Sequence, residues 1–359
     1  MIQKKFLFVC GGTGGHVFPA LAIAESLKNK GVQNIFFSGR AGSMEERLVS
    51  PLWPFYEMTA EPLRRGSFLQ NLKLPFKLSR SYIYAKRLIE KLNPDVIIAT
   101  GGFVSFPIVV AAGRLKKRVY IQEQNAVPGV ANKQGARYAS MLFVTSKEAA
   151  KAFDHPKIKV VANPIRALPD IKDLKRPAEF SDKKKAVFIM GGSQGALGIN
   201  NKVEESIAKI TNRDDVDVVW QAGAKNAKGI QERLGILPNV TVCTLIEDIY
   251  SYIAHADLIV SRAGASALAE ILAFAKPSIL VPYPHATANH QEQNARVVEK
   301  EKACLVELDH EKNELWEKVE SLLDHPQKLK EMAMAAKKLG NPKAAEEIAE
   351  IILKEEAGL

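Results

Sequence analysis

The chain has 359 residues, with 50 Lys and Arg against 40 Asp and Glu for a formal charge of +10, 47% hydrophobic residues and three cysteines. That length exceeds what one core usually serves, so two domains are expected. The odd, widely spaced Cys10, Cys243 and Cys304 give neither a disulfide framework nor a metal site, and no apolar run reaches the roughly 18 residues needed to cross a bilayer.

Apolar runs of strand length alternate with longer helical patterns. Phe6–Cys10 leads straight into Gly11-Gly12-Thr13-Gly14-Gly15-His16, which also cuts the run too early for a signal-peptide core. Asn34–Ser38 follows, then Val96–Thr100 leading into Gly101-Gly102, then Val119–Gln122, Leu142–Val144 and Val160–Ala162. Between Asn163 and Pro177, prolines and charges cluster and strands stop. The pattern then restarts: Ala186–Met190 runs into Gly191-Gly192-Ser193-Gln194-Gly195, followed by Val218–Gln221, Val240–Cys243, Leu258–Ser261 and Ile279–Val281, with Asn201–Thr211 and Ala265–Phe274 suited to helices. After Gly340-Asn341-Pro342 an amphipathic helix, Lys343–Lys354, closes the chain. Two rounds of βα alternation predict two doubly wound parallel sheets. The expected domains are 1–163 and 164–340, with a terminal segment, 341–359, that can pack back on the first. Ligands of such sheets bind beyond the carboxyl ends of the strands, so a cleft between the two is the expected site.

The charge is uneven. Residues 1–165 carry 24 Lys and Arg against 10 Asp and Glu, which leaves 26 against 30 for the remainder. An anionic partner at the first half follows, whether membrane surface, nucleic acid or acidic substrate. The three cysteines lie in strand-like runs and read as buried thiols of a reducing compartment.

A buried strand that ends in glycines exposes backbone N–H groups at the next helix start, where phosphate oxygens are well accommodated. Three such junctions imply phosphorylated ligands, one site per half. The dinucleotide fingerprint fails: Val17 stands at the last glycine position, Gly39-Arg40 supplies no acid, and Ser193 replaces the second glycine of the later loop. No P-loop motif for nucleotide hydrolysis is present either. In Ser261–Glu270 a strand, a glycine turn and a helix start at Ala265 or Ser266 would seat a diphosphate, and Glu270, one turn inside, could accept both hydroxyls of a ribose. The polar run His285–Ala295 suits sugar hydroxyls. Asp215-Val216-Asp217 has the form of a metal-binding D-x-D, but it precedes its strand and reads as a solvated turn, and His285 and His290 are poorly spaced ligands, so no metal is expected.

The Gly11–His16 loop with Phe18-Pro19-Ala20, Gly101-Gly102-Phe103-Val104-Ser105, Glu123-Gln124-Asn125, Asn163-Pro164-Ile165-Arg166, Gly191–Ala196, Arg262-Ala263-Gly264-Ala265 and Gln291 to Asn294 together closely resemble the MurG family. These are the bacterial N-acetylglucosaminyltransferases that convert lipid I to lipid II. The resemblance runs in order from residue 6 to about 300. It implies a GT-B glycosyltransferase without cofactor, inverting at the sugar, with UDP-N-acetylglucosamine held mainly by the second domain and the lipid-linked diphosphate acceptor by the first. It further implies that Ser193 contacts the donor diphosphate and that Ile246 offers backbone groups to uracil. Ala265, Ser266, Ala267, Leu268, Ala269 and Glu270 would form the nucleotide-binding helix start. Gln291 and Asn125 would bind sugar hydroxyls, Arg166 would bridge at the hinge, and Thr13, Gly14 and Gly15 would face the donor sugar.

Many members carry His before Glu-Gln-Asn, whereas this chain has Gln122, which takes no proton at neutral pH. His16, at a helix start, therefore becomes the candidate base. The segment Arg64 to Arg80 mixes cations with Phe68, Leu69, Leu72, Phe76 and Leu78, and with Lys116-Lys117-Arg118 it suggests docking on an anionic membrane surface. The expected place is peripheral, on the cytoplasmic face of the bacterial plasma membrane. Another GT-B lipid transferase, of the diacylglycerol type, is the nearest alternative, disfavoured by Gly101-Gly102 with Glu123-Gln124-Asn125. A nucleic-acid-binding protein would need basic residues interleaved with aromatics on a binding face or a recognised motif, and neither is present, so no nucleic-acid partner is expected.

Overall fold

The computed structural model describes residues 2–59, 74–192 and 194–358. It forms two compact units, one of residues up to Ala167 together with Lys343 onward, the other Leu168–Pro342. The first holds a parallel sheet of β1 (Ile2–Cys10), β2 (Val32–Gly39), β3 (Phe55–Glu57), β4 (Val96–Gly101), β5 (Arg118–Glu123), β6 (Met141–Val144) and β7 (Ile158–Val160), in the order β3-β2-β1-β4-β5-β6-β7. The second holds β8 (Lys185–Met190), β9 (Val216–Gln221), β10 (Val240–Cys243), β11 (Leu258–Ser261), β12 (Ser278–Leu280) and β13 (Cys304–Val306), in the order β10-β9-β8-β11-β12-β13. In each sheet the chain first builds outward to one side and then returns to the other, so the order reverses between β1 and β4 and between β8 and β11. The loops that leave those strands flank a topological switch point, where doubly wound sheets bind their ligands.

Side-chain alternation explains why these runs are apolar throughout. Along β1, Phe6, Phe8 and Cys10 face one layer with Val17, Ile23 and Leu27 of the helix Gly14–Asn29 and Ile348 and Ile352 of the helix Ala344–Ala357. Leu7 and Val9 face the other layer, with Leu88, Ile89 and Leu92 of the helix Leu74–Leu92 and Ile108 of the helix Ser105–Arg114. A strand covered on both faces needs apolar residues at every position. β8 repeats the arrangement. Val187 and Ile189 pack with Ile199, Trp316 and Val319, while Phe188 and Met190 pack with Ile253 and Ile271.

The closing helix Ala344–Ala357 belongs to the first unit. Ala344, Ala345, Ile348, Ala349 and Ile352 form its buried stripe, at the spacing of one helical face. Its last turn is pinned by Glu356, which is 6% exposed and accepts from Lys4 Nζ at 2.8 Å, Tyr120 Oη at 2.8 Å and Arg118 Nε at 3.0 Å. Burial opposes ionisation of this carboxylate, but the three donors outweigh it and hold Glu356 below the usual carboxylate range.

Several local expectations are corrected. β3 falls outside the strand pattern because two half-buried aromatics and the exposed Glu57 at the sheet edge make no apolar run. The last strand of the first sheet is Ile158–Val160, two residues earlier than Val160–Ala162. The helix expected over Asn201–Thr211 is two helices, Leu197–Glu205 and Ile207–Thr211, joined at the buried Ser206. Asp217 does not lie in a solvated turn: it is 8% exposed within β9, accepts from Ser181 N at 2.8 Å and pairs with Lys184 at 3.3 Å. Its neighbour Asp215 is bound to Arg213, so both carboxylates are structural. Cys10 and Cys304 are buried, whereas Cys243 is only partly so.

Candidate active site

In the first unit, the glycine loops after β1 and β4 pack backbone against backbone. A Cβ on Gly102 would stand 2.1 Å from the Gly11 carbonyl oxygen, and a Cβ on Gly11 would stand 2.6 Å from Val104 Cγ2. Gly102 also has φ +87°, so only glycine satisfies both the dihedral and the contact. The helix Gly14–Asn29 then starts with Thr13 extended at its N-cap and no acid in its first turn. The amides of Gly14 and Gly15 have no acceptor within the helix and mark an anion-accepting start.

His16 sits on this floor. Its Nδ1 lies 2.9 Å from the Gly11 carbonyl oxygen and 3.3 Å from Thr13 Oγ1. A carbonyl only accepts, so Nδ1 carries the proton and Nε2 is the basic nitrogen. Thr100 Oγ1 donates to the His16 carbonyl at 2.7 Å. The ring lies against Gly101, whose φ is +110° and on which a Cβ would stand 2.8 Å from His16 Cδ2 and 3.1 Å from Nε2. Backbone and ring of the histidine are thus both fixed by the two glycine loops.

Glu123, at the end of β5, is 1% exposed. Its Oε1 accepts from Asn125 N at 2.9 Å, and its Oε2 accepts from Gly129 N at 3.0 Å and Asn132 Nδ2 at 2.8 Å. The carboxylate shapes the loop that presents Asn125 and is already occupied by donors. Gln122 is equally buried and donates through Nε2 to Asn163 Oδ1 at 3.1 Å. Arg166 is exposed near the end of the first unit's long segment.

In the second unit, the Gly191–Gly195 loop packs on residues 221–223. Gly191 and Gly195 approach the carbonyl oxygens of Gln221 and Ala222 to 2.4 and 2.3 Å from their would-be Cβ atoms. Ser193 lies outside the described residues. Across the switch point, the helix Ala265–Ala273 begins after Gly264 with no side-chain cap and no acid in its first turn. Its first helical bond at this end runs from Leu268 N to Gly264 O, so the amides of Ala265, Ser266 and Ala267 lack helical acceptors. Ser266 Oγ is buried and has no partner among the described residues, which leaves a donor at the same place. Leu268 turns into the core, Ala269 is partly buried, and Glu270 receives a hydrogen bond from Tyr250 Oη at 3.2 Å. The side chains of Ile246 and Ala267 both pack against the core cluster that holds Phe188, Ile253 and Ile271. Gln291, at the start of the helix His290–Lys300, accepts through Oε1 from Tyr283 N at 3.0 Å.

Thr13, Gly14, Gly15 and His16 are therefore gathered at one switch point, and Ala265 to Glu270 at the other. Tyr250 was not singled out in the sequence, since an aromatic on the neighbouring helix Ile249–His255 carries no motif. Among the described residues no group of three or more His, Cys, Asp or Glu is placed to hold a metal ion. Burial pushes the Cys10 and Cys304 thiols far up and that of Cys243 to about 11, so all three stay protonated.

The glycosyltransferase family 28 N-terminal domain matches residues 6–144, and the family 28 C-terminal domain matches residues 186–348. Over 357 residues the chain is 36% identical to the UDP-N-acetylglucosamine–N-acetylmuramyl-(pentapeptide) pyrophosphoryl-undecaprenol N-acetylglucosamine transferase of Myxococcus xanthus, covering 97% of this chain and 92% of that protein. It is 36% identical over 366 residues to the protein of the same name from Halothermothrix orenii, covering 97% and 98%. Among solved structures, that of Acinetobacter baumannii MurG matches with a TM-score of 0.81 at 29% identity, over 98% of this chain and 99% of that one.

Proposed function

The chain belongs to the MurG family within glycosyltransferase family 28, and from that membership we propose that it transfers N-acetylglucosamine from UDP-N-acetylglucosamine to lipid I. The acceptor is undecaprenyl-diphospho-N-acetylmuramyl-pentapeptide, and the product is lipid II of peptidoglycan synthesis. The two doubly wound sheets are those of the GT-B fold. The observation that carries the reading is a pair of uncapped helix starts at the two switch points, one followed by His16 and the other by Glu270.

On this reading the amides of Ala265, Ser266 and Ala267 receive the donor diphosphate, Glu270 accepts the ribose hydroxyls, and the Ile246 backbone meets uracil. Ser193 joins the diphosphate, and Gln291 and Asn125 hold sugar hydroxyls. Thr13, Gly14 and Gly15 bring their helix start to the donor sugar, and Gly11 and Gly101 line the acceptor diphosphate. His16 Nε2 takes the proton from the acceptor C4 hydroxyl as its oxygen attacks the anomeric carbon. The bond from that carbon to the UDP oxygen breaks with inversion. Charge developing on UDP falls to the Ala265 helix start and to Arg166. Because Nδ1 is committed to the Gly11 carbonyl, the imidazolium that forms donates to an acceptor already in place.

The acceptor's polyprenyl tail stays in a bilayer, so the enzyme must come to it, at the cytoplasmic face. The helix Leu74–Leu92 buries Ala85, Leu88, Ile89 and Leu92, while Phe76 is 80% exposed and Leu78, Ile83 and Tyr84 stand out beside Arg80, Lys86 and Arg87. Apolar side chains among cations suit an anionic membrane surface. Phe68, Leu69 and Leu72 lie outside the described residues. No helix among the described residues is long and apolar enough to cross a membrane.

Radiolabelled UDP-N-acetylglucosamine offered to lipid I, to a lipid-free muramyl acceptor and to diacylglycerol tests the assignment. Label transfer to lipid I is expected. Transfer to diacylglycerol alone, or none to lipid I, refutes it.

A further inference from the structure

Asp309 lies in the irregular segment after β13, where no sequence motif marks it. Its Oδ2 stands 3.0 Å from Arg262 Nη2, with the two side chains 11% and 15% exposed. Arg262 Nη1 donates to the carbonyl oxygens of Val281 at 3.0 Å and Pro282 at 3.1 Å, at the end of β12. Its guanidinium also lies 5.6 Å over the Tyr283 ring. Tyr283 N then donates to Gln291 Oε1 at 3.0 Å. A backbone N–H only donates, so the amide oxygen of Gln291 is committed and its NH2 is the group that can reach a ligand. One continuous line of contacts joins Asp309, Arg262, the 281–283 turn and Gln291.

We propose that Asp309 is a positioning residue for the sugar half of the donor pocket: it anchors Arg262, which sets the 281–283 turn and with it Gln291. The inference rests on the reading that Gln291 holds the N-acetylglucosamine unit. Arg262 is then a clamp and not a phosphate ligand, because its charge is neutralised by Asp309 and two of its donors are spent on carbonyls. A guanidinium this buried needs a carboxylate partner, since two carbonyls take up only two of its N–H groups and do nothing to balance its charge. Asp309 can reach it only because position 198 lacks a side chain: a Cβ on Gly198 would stand 1.7 Å from Asp309 Oδ1. Asp309 Oδ1 is itself buried without a partner among the described residues, so what holds the carboxylate among them is its pairing with Arg262.

Calorimetric titration of UDP and of UDP-N-acetylglucosamine into the parent chain, Asp309→Ala, Gly198→Ala and Gln291→Ala provides the test. Asp309→Ala deletes the anchor. Gly198→Ala keeps the carboxylate but displaces it, and alanine suits the helix Leu197–Glu205 better than glycine does, so it serves where Asp309→Ala fails to fold. In both, the ratio of UDP-N-acetylglucosamine affinity to UDP affinity is expected to fall about tenfold, the size of one misplaced hydrogen bond, with UDP affinity within about twofold of the parent. Equal loss for both ligands would mean a general structural role and overturn the proposal. So would an unchanged ratio in both variants while Gln291→Ala lowers it. An unchanged ratio in Gln291→Ala overturns the reading of Gln291, and this inference with it.

Discussion

Gly101→Ala perturbs the histidine floor without touching the donor unit. The added methyl would stand 2.8 Å from His16 Cδ2, whereas ordinary contact begins at 3.4 Å, so the imidazole must retreat by about 0.6 Å. A misplacement of about 1 Å costs on the order of 10²-fold in rate, and a general base contributes about 10²–10⁴-fold. kcat for Gly101→Ala is therefore expected to fall about 10–100-fold, with KM for UDP-N-acetylglucosamine nearly unchanged. His16→Ala is expected to fall further, again with donor KM preserved. The decisive assay is the double variant in a continuous UDP-release assay with lipid I. If Gly101 acts through the ring, Gly101→Ala adds nothing to His16→Ala, because there is no imidazole left to displace. Stability is measured alongside by denaturant unfolding, since φ +110° costs alanine about 1–3 kcal/mol in either background. Losses in kcat that multiply in the double variant, or full turnover by Gly101→Ala, would refute the reasoning.

Glu270→Ala is expected to weaken UDP about 10–150-fold, the worth of one charge-assisted hydrogen bond of about 1.5–3 kcal/mol, with the fold intact by circular dichroism; unchanged affinity in calorimetry would move the nucleotide elsewhere. Phe76→Ser with Leu78→Ser should reduce co-sedimentation with anionic liposomes, and the parent's binding should weaken with salt, each cation near the surface contributing about 1 kcal/mol; equal sedimentation of parent and variant removes this face as a membrane contact. Glu356→Gln is expected to cost about 2 kcal/mol near neutral pH in urea unfolding, because hydrogen bonds to the charged carboxylate from Lys4, Tyr120 and Arg118 are weakened. The folded-state pKa of Glu356 is depressed, so its contribution is complete above the unfolded value of about 4.3 and is lost as pH falls through the folded one; the gap between parent and variant should close below about pH 4. A gap that does not depend on pH would show that shape, not charge, holds the helix.

Much of the site was legible because its signals are local. A glycine pair after an apolar run reports a tight strand-to-helix turn, which marks Gly11, Gly101 and Gly191, and a single glycine between a strand and a helix marks Gly264. Glu270 was legible for the same reason, since its distance from the helix start is fixed by helical geometry. Glu123 was recognised by its triplet, but the sequence did not reveal that backbone and side-chain donors of its own loop already occupy it. Asp217 was misread because an acid before an apolar run resembles a turn; the strand in fact begins at Val216, and Ser181 and Lys184 from the preceding segment compensate its burial.

By itself the sequence determined the two rounds of βα alternation, the parallel sheets and the positions of the glycine turns, because a strand covered on both faces, a glycine at positive φ and an uncapped helix start each leave a mark within a few residues. Only the tertiary structure decided which of these turns meet. Placing β4 beside β1 brings Gly102 onto Gly11 and Gly101 onto His16, and placing β12 and β13 beyond β11 brings Asp309 to Arg262. The same holds for Glu356, which closes the last helix onto Tyr120 across a separation of 236 residues. Contacts between distant segments depend on strand order, and no periodicity along the chain encodes that order.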